Sequence, residues 1–158
     1  MFIACGKEKG RCESGDCGGS LYCEGRGGQP PASLFEITVA ADQDYYDVSL
    51  VDGYNLPMSV SVSRGCRWVG CVKDLNSICP GELRVWSGGR VVGCKSACMA
   101  FNTDWDCCRG AFGSPDTCKP TRYSRIFKGA CPSAYSYAYD DKSSLATCNR
   151  GDYVLTFC

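Results

Sequence analysis

Apolar and polar side chains alternate along three stretches of the chain. From Leu34 to Ala40, Phe35, Ile37 and Val39 fall on one face, with Glu36 and Thr38 on the other. Glu36 is thereby free to point into solvent or a cleft. Tyr46 to Val51 repeats the pattern, with Val48 and Leu50 against Asp47 and Ser49, and Asp52-Gly53 is a turn signal. Met58, Val60 and Val62 then alternate with Ser59, Ser61 and Ser63, and Tyr153 to Phe157 predicts a terminal strand. Strands of this kind predict an antiparallel sheet with one buried face. Elsewhere the periodicity fails. Residues 5–28 are rich in Gly and Cys and read as a loop, and Pro30-Pro31 breaks the chain. The segment 66–120 is interrupted by Pro80, Gly81, Gly88-Gly89, Gly110, Gly113 and Pro115, and predicts only short helices near 94–101 and 103–108. Thr121 is an N-cap for a helix over Arg122–Lys128, stopped by Gly129 and Pro132.

Composition turns this outline into a compartment and removes several chemistries. The 158 residues suit one globular domain. Lys+Arg and Asp+Glu both number 17, which argues against a strongly basic nucleic-acid binder. No apolar run approaches the ~18 residues of a membrane-spanning helix. With no histidine, Ser-His-Asp and Cys-His catalysis and imidazole-dependent zinc sites are excluded. Fifteen cysteines point to a disulfide-stapled extracellular protein. Cys-x-x-Cys is absent, which disfavours structural zinc and thioredoxin-type redox chemistry. Adjacent Cys107 and Cys108 should each staple a different neighbour. The odd count leaves at least one thiol free or bonded to another molecule. Met1-Phe2-Ile3-Ala4, followed by Lys7 and Glu8, is too short for a secretory leader. The class is mainly β with a small irregular disulfide subdomain.

The charges are unevenly placed. No Lys or Arg falls between Arg26 and Arg64, while Glu36, Asp42, Asp44, Asp47 and Asp52 all do, and Asp140-Asp141 adds an acidic pair. Lys119, Arg122, Arg125 and Lys128 form a basic stretch without an acid among them. Any single Asp is ordinary solvated surface by default. Neighbouring strands, however, can bring Glu36, Asp47 and Asp52 to one side of a sheet. Tyr45, Tyr46, Tyr54, Tyr135, Tyr137 and Tyr139 accompany the acids, with core packing as their default role. Carboxylates beside aromatic faces suit a carbohydrate, or a cationic partner surface. Two carboxylates are also the minimum equipment for glycoside hydrolysis.

Several motifs in order carry a family resemblance. Gly10-Arg11-Cys12-Glu13-Ser14-Gly15-Asp16-Cys17-Gly18-Gly19, followed by Cys23, resembles the signature of thaumatin-like proteins, the plant pathogenesis-related family 5, with Ser14 where Thr is usual. The run Asp44 to Met58 matches as well. So do Cys131-Pro132-Ser133-Ala134-Tyr135-Ser136-Tyr137 with Asp140-Asp141, and the ending Tyr153 to Cys158. The resemblance implies a β-sandwich with disulfide-rich loop and short-helix subdomains, N-terminally incomplete here. It implies one domain over 1–158: a stapled loop at 5–28, sandwich strands at 32–65 and 149–158, and a disulfide-rich subdomain at 66–148. Carried over, the bridges are Cys5 with Cys12, Cys17 with Cys23, Cys66 with Cys148, Cys71 with Cys131, Cys79 with Cys94, Cys98 with Cys107 and Cys108 with Cys118. Cys158 is left unpaired, its family partner lying in an N-terminal segment that this chain is expected to lack, along with the leader and first strands.

The same resemblance implies an acidic cleft formed here by Glu36, Asp47, Asp52 and Asp140, with Asp141 as the neighbouring alternative and the family's Arg in the lacking segment. The implied function is antifungal plant defence in the apoplast through binding of cell-wall β-1,3-glucan or another wall polysaccharide. Weak endo-β-1,3-glucanase activity would use Glu36 as acid and Asp52 or Asp47 as nucleophile or base. Binding is favoured over catalysis, because binding needs only the cleft. Alternatives are an inhibitor of a microbial hydrolase of the xylanase or amylase type, using exposed loops or the basic 119–128 stretch, and a receptor-kinase-type ectodomain. The expected state is a monomer, with a Cys158-linked dimer as the alternative. No cofactor, metal, nucleic acid or membrane anchor is expected, and no N-glycosylation sequon occurs.

Overall fold

The structure, a computed structural model, describes residues 11–20 and 22–157. Strands dominate it. β1 (Leu34–Thr38), β2 (Asp44–Ser49) and β7 (Ala146–Cys148) form one antiparallel sheet in the order β1-β2-β7. β3 (Met58–Val62), β4 (Val69–Cys71) and β8 (Tyr153–Phe157) form a second, ordered β4-β3-β8. β5 (Arg84–Ser87) and β6 (Arg90–Cys94) make a separate hairpin. The helices are short: α1 (Ala97–Phe101), α2 (Arg122–Ala130) and α3 (Asp141–Ser144).

One core unites the two sheets. Tyr46, Val48 and Leu50 from β2 and its end bury with Met58 and Val60 of β3, Val69 of β4, and Phe127 of α2. Tyr46 and Tyr54 are fully buried, and each spends its hydroxyl on a main-chain carbonyl, of Arg67 at 2.5 Å and Lys73 at 3.1 Å respectively. A buried hydroxyl needs such a partner. Between the sheets, Tyr153 meets Tyr46 edge-on at 5.2 Å and Phe35 at 6.2 Å. Its hydroxyl donates to buried Asp44 at 2.9 Å, and burial followed by that bond pushes it up to about 12. Asp44 is therefore a tie between β2 and β8.

Six bridges staple the described residues: Cys17–Cys23, Cys66–Cys148, Cys71–Cys131, Cys79–Cys94, Cys98–Cys107 and Cys108–Cys118. Cys12 is disulfide-bonded too. The expected partner Cys5, and the unpaired thiol expected at Cys158, lie outside the described residues. The Gly-Asp-Cys-Gly-Gly stretch has a local cause. Asp16 accepts hydrogen bonds from the main-chain N–H of Cys12 (2.8 Å), Gly18 (3.1 Å) and Gly19 (2.7 Å). Those bonds, chiefly that of Cys12, hold its carboxyl below the ordinary range.

The structure departs from the periodicity reading in several places. Residues 104–108 are a turn rather than a helix, stitched by Asp106 N–H to the Thr103 hydroxyl at 3.1 Å. α2 starts at the Thr121 cap on Ser124 N–H (3.2 Å) and runs through Gly129 to Ala130, its last turn closed by Cys131 N–H donating to Phe127 O at 2.8 Å, with buried Tyr123 and Phe127 on its inner face. β4 and β7 join the two sheets although both fall within 66–148. On β1, the apolar stripe is only half-buried at Phe35, while Ile37, and Val39 just beyond the strand, are exposed.

Candidate functional site

The β1–β2 register sets the geometry of the acidic group. Glu36 pairs directly with Asp47, and Thr38 pairs with Tyr45. Residues two apart share a face of a strand, so Tyr45, Asp47, Glu36 and Thr38 occupy one side of the sheet. Directly opposed residues have Cβ atoms roughly 4.5–5.5 Å apart. Tyr45 is 43% exposed, and Glu36 and Thr38 are exposed as well.

Asp47 is not. It retains 9% exposure, so β2 is buried on both faces here and the simple in-out alternation fails. The cause is the chain between Cys131 and Cys148. On the edge of β2 away from β1, β7 pairs with residues 44–46. Further along that edge Tyr135 takes over, its N–H donating to Val48 O at 2.9 Å and its carbonyl accepting from Leu50 N–H at 2.9 Å. The 135–146 loop therefore leaves and rejoins β2 on either side of Asp47, and Asp141 lies within it. Tyr135 donates its hydroxyl to Asp141 Oδ1 at 3.1 Å. Burial, then this bond, raises the Tyr135 hydroxyl well above the usual phenol range.

Three carboxyls thus converge: Glu36, Asp47 and Asp141. Burial, reinforced by the charges of Glu36 and then Asp141, pushes Asp47 up to about 7 from an ordinary 3.8. Its Oδ1 is buried without a hydrogen-bond partner. A buried orphan oxygen is uncommon in folded proteins and calls for an explanation.

The other sequence-predicted site residues are placed differently. Asp52 is exposed in the turn after β2, and its carboxylate makes no hydrogen bond or ion pair among the described residues. That turn is built by Gly53, whose φ of +88° suits glycine and whose Cβ would collide with Pro31 Cβ at 2.6 Å. Asp140 is buried in a different network, accepting from Ser136 N–H (3.0 Å), Ser136 Oγ (2.9 Å) and Ser143 Oγ (2.9 Å). It also pairs with Lys128 at 2.9 Å. Asp141, not Asp140, faces Asp47. The residue that sequence reasoning missed is Tyr135 as partner of Asp141, and its spacing of six from that acid offered no helical or strand signal. Among the described residues no group of three acids or cysteines has a geometry able to hold a metal ion, and no helix is long and apolar enough to cross a membrane.

The basic stretch is divided in the structure. Arg122 bonds to Glu82 at 3.1 Å and stacks on Tyr123, whose hydroxyl donates to the same carboxylate at 2.5 Å. Lys128 turns inward to Asp140. Arg125 and Lys119 remain exposed.

A β-rich, disulfide-stapled fold with this signature loop defines the class of protein. The Thaumatin family model matches residues 3–158, and the chain belongs to the thaumatin family. It is 60% identical over 155 residues to a thaumatin-like protein of Arabidopsis thaliana, covering 95% of this chain and 64% of that one. It is 57% identical over 153 residues to the pathogenesis-related thaumatin-like protein 3.5 of Cryptomeria japonica, covering 95% and 63%. Pathogenesis-related protein 5 of Arabidopsis thaliana is 57% identical over 154 residues, covering 94% and 64%. The chain thus spans just under two thirds of the length of these curated relatives. Among solved structures, the thaumatin-like xylanase inhibitor TLXI is 32% identical with a TM-score of 0.35, over 45% of this chain and 48% of that one.

Proposed function

We propose that this is a secreted plant defence protein that binds β-1,3-glucan of fungal cell walls on the face carrying Glu36, Asp47 and Asp141. Relatives named pathogenesis-related support the defence role, and the disulfide density suits an extracellular site. The observation that carries the ligand class is the orphaned Asp47 Oδ1, opposite Glu36 and beside Asp141. Sugar hydroxyls both donate and accept, so they can satisfy the carboxylates and also a protonated Asp47. Exposed Tyr45, one cross-strand pair along on the same face, offers a ring for sugar C–H groups. Asp52 extends the acidic surface at the following turn.

Binding rather than hydrolysis is the proposed activity. Burial raises the Asp47 carboxyl to about 7, so in any residual glucanase activity Asp47 is the carboxyl suited to the acid role. Retention of the oxidised protein on insoluble β-1,3-glucan tests the reading. Wild-type protein should be retained and Glu36→Gln should be retained less, whereas equal retention of both would remove the acidic group from the site.

A further inference from the structure

We propose that Lys128 and Asp140 are positioning residues for this site: together they hold the 134–144 loop so that Asp141 stays against Asp47. The proposal rests on the functional reading above for its ligand, but its geometry stands independently.

The ends of the loop are pinned to β2 by main-chain hydrogen bonds at Tyr135 and through β7. Its middle is not part of the sheet. One ammonium group reaches three points along it. Lys128 Nζ bonds to Ala134 O at 2.8 Å, Asp140 Oδ2 at 2.9 Å and Ser144 Oγ at 2.7 Å. An ammonium has three donors, and all three are used on the start, middle and end of one loop. Asp140 continues the clamp by accepting from Ser136 and Ser143. Arg67 adds an outer tie to the carbonyls of Ser143 (2.5 Å) and Leu145 (3.5 Å). Asp141 is the next residue along the chain from Asp140 and opens α3, so its direction follows from where Asp140 is held.

Both residues act through Asp141. Asp140 is buried with its oxygens occupied, and Lys128 is not a member of the acidic group. Lys128 sits near the C-terminal end of α2, where a cation is also favoured by the helix dipole. The basic stretch noted in the sequence therefore contributes one member to the support of the loop that carries Asp141.

The titration of Asp47 reads this out, because the groups facing it are Glu36 from β1 and Asp141 and Tyr135 from the loop. Its carboxyl carbon is followed by NMR across pH in oxidised protein, assigned with Asp47→Asn. In Lys128→Met, loss of the Asp141 contact should lower the Asp47 midpoint, by about half a pH unit or more. Removing a positive charge would on its own raise that midpoint, so the sign separates repositioning from a direct field effect. Lys128→Arg should keep the wild-type midpoint. An unchanged or raised midpoint in folded Lys128→Met overturns the proposal. If Lys128→Met does not fold, Ser143→Ala, which removes only the hydroxyl on Asp140 Oδ1, is read by the same criterion. Glucan retention is measured in parallel: wild-type protein that is not retained refutes the functional reading, while the titration still decides the positioning.

Discussion

Asp47 lies directly opposite Glu36 in the β1–β2 register, yet only Glu36 is open to solvent. Like charges opposed across two strands are unfavourable. The pair persists here because burial raises the Asp47 carboxyl to about 7, so that it holds a proton at mildly acidic pH and the repulsion is relieved. That asymmetry governs how the protein should respond to pH.

The folded-state value of Asp47, about 7, stands above its ordinary 3.8. A raised value means that the folded protein binds the proton more tightly than the unfolded chain. The associated stability is complete below about pH 4 and is lost as pH rises through about 7. Wild-type protein should therefore be less stable at pH 8 than at pH 5, by on the order of 1–3 kcal/mol. Asp47→Asn should flatten that difference in urea titrations at the two pH values.

Glu36→Gln removes one of the charges that raise Asp47. The Asp47 midpoint should fall, while the protein remains folded because Glu36 is exposed. The NMR titration of the carboxyl carbon measures it. A midpoint that does not move would mean that burial and Asp141, without Glu36, set the value.

How much of this was legible in the sequence depends on the kind of signal. Met58–Val62 was readable because period-two alternation persisted over five residues, and Tyr153–Phe157 as a short run of aromatic and β-branched residues. β4 and β7, at three residues each, are too short to show a period. The β5–β6 hairpin did carry a signal: Gly88-Gly89 between apolar runs is a two-residue hairpin turn, and both glycines have positive φ. The dense cysteines around it obscured that pattern. Alternation placed Glu36 and Asp47 away from the core, but it could not show that a distant loop covers Asp47. Nor could it separate Asp140 from Asp141, which are adjacent in sequence and perform different tasks. The pairing of cysteines came from family resemblance, since spacing alone leaves many connectivities open.

The bridges should contribute unequally. Cys66–Cys148 spans 82 residues and Cys98–Cys107 spans 9. In the chain-entropy model these correspond to about 4.5 and about 2.5 kcal/mol. Replacing both cysteines of the first pair by Ser should lower the urea midpoint more than the same change in the second.

Asp16 organises its loop through three main-chain N–H groups. Asp16→Ala should leave the core transition intact and speed proteolytic cleavage near residues 11–20. Limited proteolysis followed by mass spectrometry locates the cut. Unchanged cleavage would show that the Cys17–Cys23 bridge suffices to order the loop.

Retention on insoluble β-1,3-glucan at mildly acidic pH, comparing oxidised wild type with Glu36→Gln, Asp141→Asn and Asp52→Asn, tests the central claim most directly. Wild-type protein is expected to be retained and displaced by soluble glucan, with Glu36→Gln and Asp141→Asn losing most of that retention and Asp52→Asn losing less. Folded wild-type protein that passes through unretained, or variants retained as well as wild type, would contradict the account.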